Sequence, residues 1–72
     1  MSKKALTLEE ILIEMWEGTR NSNSFLSTIS VEAFKGYATA MAYAQDPRIN
    51  KLGVGVADVF NAVTKLVREE KI

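Results

Sequence analysis

The chain has 72 residues, 47% of them apolar and 25% charged, which is material for one hydrophobic core and excludes a multidomain enzyme. Nine Lys plus Arg offset nine Asp plus Glu, so the basic surplus that coats DNA or an anionic membrane is missing. Without Cys or His the sequence holds no disulfide, thiolate nucleophile, imidazole base or ordinary zinc or haem ligand set.

A first helix is expected over residues 8–19. Thr7 and Glu10 have the spacing of a capping box, and Leu6 and Ile11 that of a hydrophobic staple. Leu8, Ile11, Leu12, Met15 and Trp16 then recur on a 3.6-residue period and gather one apolar face. Gly18 and the polar run Asn21-Ser22-Asn23-Ser24 should stop the helix, because such residues favour turns or compete for backbone hydrogen bonds. A second helix is expected over residues 31–45, from a Ser30 cap with Ile29 and Phe34 as its staple to a stop at Asp46-Pro47. Phe25, Leu26 and Ile29 also suit a helical turn beginning at Ser24, which leaves the start of this helix open between Ser24 and Ser30.

A third helix, over residues 54–70, carries the stripe Val56, Val59, Phe60, Val63, Leu66 and Val67, with Arg68 and Lys71 complementing the dipole at its end. Asn50 is the candidate cap, with Ile49 and Val54 as the staple, although Gly53 and Gly55 weaken the first turn by roughly 1 kcal/mol each. A strand over residues 52–59 is suggested by the alternation of Leu52, Val54 and Val56 with glycine, but it has no partner elsewhere in the chain. The expected fold is all-α, a single small domain of three helices over residues 1–72, assembled as a homo-oligomer. That last expectation rests on area, since so small a chain without Cys or His has little besides assembly to shelter Ile13, Phe25, Leu26, Tyr43, Val54 and Ile72. The basic start Met1-Ser2-Lys3-Lys4 runs into a stretch broken by Glu9, Glu10 and Glu14, which is no signal-peptide core. The longest charge-free run falls well short of the roughly 20 residues that cross a bilayer. A cytoplasmic protein with no membrane segment is expected.

Glu10, Glu14 and Glu17 share one face of the first helix, a pattern better explained by a solvated acidic surface than by a metal site, which in bundles draws carboxylates from several helices. Ile13 interrupts that face, and Trp16, the only Trp, could fill the core or anchor an interface. On the second helix Gly36, Ala40 and Ala44 form a small-residue stripe that lets another backbone approach, with Tyr37 and Tyr43 beside it. These seven residues are the interface candidates. The segment Arg48-Ile49-Asn50-Lys51-Leu52-Gly53-Val54-Gly55 joins two cations and two glycines to a helix start, a combination suited to a phosphate. It matches neither the Walker loop nor the dinucleotide fingerprint.

Ser24, Ser27, Thr28 and Ser30 have no base to activate them and read as caps. Lys65 and Arg68 are opposed by Asp58, Glu69 and Glu70, so the third helix does not read as a DNA-recognition helix. The chain is read as no enzyme and as needing no cofactor. Its expected role is a stoichiometric regulator or inhibitor that acts through contacts with another protein; small accessory proteins of phages share this size and composition, an analogy of composition alone. The alternative is a receptor or sponge for a small phosphate-bearing ligand such as a nucleotide, held by Arg48, Lys51, Gly53 and Gly55.

Overall fold

The computed structural model describes residues 6–72 and is helical throughout, with no strand among the described residues. Among the described residues six helices follow one another: α1 (Leu8–Trp16), α2 (Thr19–Ser22), α3 (Ser24–Thr28), α4 (Val31–Gln45), α5 (Pro47–Lys51) and α6 (Val56–Arg68). The three expected helices are α1, α4 and α6; α2 and α5 occupy stretches expected as turns, and α3 the place of the alternative start at Ser24.

The capping box opens α1 as the sequence predicts. Thr7 N–H donates to Glu10 Oε1 at 2.8 Å, and Glu10 N–H donates to Thr7 Oγ1 at 3.2 Å. The helix ends sooner than residue 19, because Gly18 takes a left-handed conformation, φ 75°, that turns the chain into α2. Both proposed starts of the second helix exist. Asn23 caps α3 by accepting from Leu26 N–H, and Ser30 caps α4 by accepting from Ala33 N–H. Asp46 then ends α4 and caps α5 in turn, with Pro47 in the first turn, where a missing N–H costs nothing. Asn50 therefore lies inside α5 and caps nothing at α6. Gly55 is the N-cap of α6, and the Asp58 side chain reaches back to its N–H at 3.1 Å.

The core is one cluster. Ile11, Leu12 and Trp16 of α1 meet Phe34, Ala38 and Ala42 of α4 and Val59, Val63 and Leu66 of α6, while α3 adds Leu26 and α5 adds Ile49. Burying Leu26 and Ile49 contributes about 1.5–3 kcal/mol each, which is how short helices without stability of their own hold their place. They also correct the area argument for assembly, because Leu26 is inside the protomer and Ile13, Tyr43, Val54 and Ile72 pack partly buried against its core. The stripe on α6 is broader than its buried part, for Val56 and Phe60 stay exposed. The helix pairing is most extensive between α4 and α6, with α1 laid on α6 and tied there by the Lys65–Glu9 ion pair at 3.2 Å.

Candidate functional site

The inward residues of α4 leave its opposite side without a partner in the protomer. With Phe34, Ala38, Thr39 and Ala42 buried, the 100° step per residue carries Gly36, Ala40 and Ala44 to the outer side, and all three are exposed. Ala33 is exposed with them. A Cβ added at Gly36 would meet nothing within 4 Å, so close packing inside this chain does not explain the glycine. The charged residues of α4, Glu32 and Lys35, pair with each other at 2.9 Å to one side of this face and leave it uncharged.

Tyr37 and Tyr43 border the face, each about 60° from Ala40 in opposite senses. Tyr43 is half-buried against the core. Tyr37 is 38% exposed and lies edge-on to Trp16, at 5.9 Å between ring centroids, and to Phe25, at 6.2 Å. Phe25, at 59%, is the most exposed large apolar side chain among the described residues, so α3 adds an aromatic rim to the α4 face. The sequence marks Phe25 as part of a helical turn at Ser24 and as a residue needing shelter; its place beside Tyr37 depends on the α3–α4 bend at Ile29 and Ser30, which no periodicity signals.

Two interface candidates belong elsewhere. Trp16 is 7% exposed and meets Phe34 edge-to-face at 5.9 Å, filling the core where α1 crosses α4. Ile13 is half-buried against the same core. Of the candidates, then, Gly36, Tyr37, Ala40 and Ala44 share an open surface with Tyr43 at its edge.

The residues proposed for a phosphate come together around the α5–α6 turn, but the Arg48 charge is already engaged. Arg48 donates to Asp46 through Nη2 at 2.7 Å and Nε at 3.0 Å, and its Nη1 reaches Glu14 of α1. The side-chain hydrogen bond from Arg48 holds the Asp46 carboxyl below its ordinary value, and Asp46 first, Glu14 second, raise the pKa of Arg48. With two carboxylates already on that guanidinium, its charge is largely balanced before any phosphate approaches. At the start of α6 the Asp58 carboxylate already accepts from Gly55 N–H. Gly53 has φ 73°, as a tight turn after α5 requires, while Lys51 stays exposed. The adjoining hollow of about 320 Å³, lined by Leu6, Ile11, Arg48, Lys51 and Leu52, is walled largely by apolar side chains. The acidic residues of α1 are likewise dispersed, with Glu9 on Lys65 and Glu14 on Arg48, and among the described residues no three potential ligands converge on a metal position. No helix among those residues is long and apolar enough to cross a membrane.

Compared with known proteins, the chain matches no family model, no curated protein and no solved structure. The fold and site thus define a small all-α domain with one uncharged, aromatic-rimmed helix face open to solvent.

Proposed function

We propose that the chain works by binding protein, as a stoichiometric regulator or inhibitor without catalysis of its own, and that the outer face of α4 is its contact surface. The supporting observation is that Gly36, Ala40 and Ala44 are small, exposed and uncharged beside the open rings of Tyr37 and Phe25. Aromatic side chains around small residues are the usual anchors of an interface, because rings bury much area with few rotors to freeze. The self-neutralised Arg48 favours this reading over an anion receptor, since its guanidinium ties α5 to α1.

The experiment is affinity capture with purified chain as bait, comparing wild type with Ala40→Arg, which places a long cation in the centre of the face. Wild type should retain a stoichiometric protein partner, its own copy included, and the variant should lose it while keeping its helix content. If the two baits hold the same proteins in the same amounts, the α4 face is not the contact surface.

A further inference from the structure

We infer that the partner of the α4 face is a second copy of this chain, docked as an antiparallel α4–α4 pair about a twofold axis at Ala40. The inference rests on the protein-binding reading above and names its partner. Residues 36–44 read Gly-Tyr-Ala-Thr-Ala-Met-Ala-Tyr-Ala, a pattern of sizes nearly symmetric about Ala40. A twofold axis perpendicular to both helices sets each residue before Ala40 level with the partner's residue equally far after it. At 1.5 Å and 100° per residue, Tyr37 then lies within about 1.5 Å in height of the partner's Ala44 and on the same flank of the contact. Tyr43 meets the partner's Gly36 in the same way. Each of the four tyrosines in the pair covers a residue too small to oppose it, and with Ala40 facing its own copy at the twofold the helix axes lie about 10 Å apart, which leaves about 5.4 Å between the two Ala40 Cα atoms. A partner of unrelated sequence would not call for this symmetry.

Charge and area agree with a second copy. The face carries no ionised side chain, so pairing it with itself creates no like-charge contact and buries no charge. Phe25 extends the rim on the flank where the partner's Ala44 falls. The rings are already partly covered in the protomer, Tyr37 being 38% and Phe25 59% exposed and Tyr43 half-buried, so with the small residues between them the face offers at most roughly 500 Å² per protomer and a pair at most about 1,000 Å², the lower limit of specific interfaces. An interface at that lower limit predicts a dimer whose mass depends on concentration.

Cysteine cross-linking reads both the assembly and its register, because the natural sequence has no Cys. Ala40→Cys sets two thiols at the axis, within the Cα separation of about 4.4–6.8 Å that a disulfide spans. Ala33→Cys sets them roughly 21 Å apart along the helices. Under mild oxidation the first should form a linked dimer at least about tenfold faster than the second. Light scattering on wild type should show two chains, and on Ala40→Arg one chain with unchanged circular dichroism. A wild-type mass of one chain at about 300 µM, or equal cross-linking at both positions, overturns the inference. If wild type is a single chain and Ala40→Arg still abolishes capture of a different protein, only the second copy is refuted. If that variant changes neither mass nor capture, the protein-binding reading fails as well.

Discussion

Thr64 lies on α6 with its hydroxyl buried and unpaired, whereas buried Thr39 donates its hydroxyl to the Lys35 carbonyl at 2.8 Å. Valine matches the shape of threonine without the desolvated oxygen, so Thr64→Val should raise stability by about 1 kcal/mol. Urea denaturation checks this, and a lowered midpoint would show that the hydroxyl is satisfied in solution. Asp46 supplies a second test at this scale. Because Arg48 holds its folded-state pKa down, the unfolded chain takes up a proton first as the pH falls. The stabilisation is complete above the ordinary carboxylate value and declines as pH drops through the lower, folded one. Asp46→Asn keeps an acceptor for Arg48 N–H and removes the charge. The stability gap between wild type and this variant should hold steady down to about pH 5 and shrink below about pH 4. A gap that widens on acidification contradicts the assignment. The cations at Arg48 and Lys51 were legible in the sequence, but the carboxylates that engage Arg48 were not. Glu14 lies 34 residues away, and only the packing of α5 on α1 brings it near.

Helix ends hold the clearest difference between what local sequence states and what packing decides. Thr7 and Ser30 announce their caps because each pairs a short polar side chain with a following amphipathic stripe, whereas Asp46 reads only as a stop. The short helices α2 and α5 escape a periodicity search, and α3 shows in it only as a possible turn at Ser24, since four or five residues do not complete the pattern that distinguishes a helix from a turn. The C-terminus of α6 was also hidden. Lys71 N–H donates to the Leu66 carbonyl at 2.9 Å and Glu70 N–H to the Val67 carbonyl at 3.0 Å, a Schellman ending that puts Glu70 at φ 60°. Glycine is the residue suited to that position, as Gly18 is to the left-handed corner of the type II turn after α1. Glu70→Gly should therefore gain about 1 kcal/mol, and Gly18→Ala should lose about 1–2 kcal/mol. Urea midpoints that moved together in these two variants would refute the argument. On α4 the stripe of Gly36, Ala40 and Ala44 was visible in sequence, but which side of the helix it faced depended on Phe34 being the core residue.

At the scale of the molecule, α6 is the element on which both α1 and α4 lie, and their own mutual contact is slighter. A chain ending at residue 55 should consequently lose most of its helical circular dichroism rather than only the part due to α6. Retention of the signal from α1 and α4 would show that they pair without it. The dependence of the first helix on the last also has a consequence in time. At about 5 to 20 residues per second, translation needs several seconds to pass from α1 to the end of α6. A helix of nine residues does not persist alone over that interval, so Ile11, Leu12 and Trp16 leave the ribosome with nothing to cover them. Helix α1 is made well before the α6 residues that shelter it, and pausing on the codons between Gly18 and Gly55 would lengthen its exposure to chaperones and proteases.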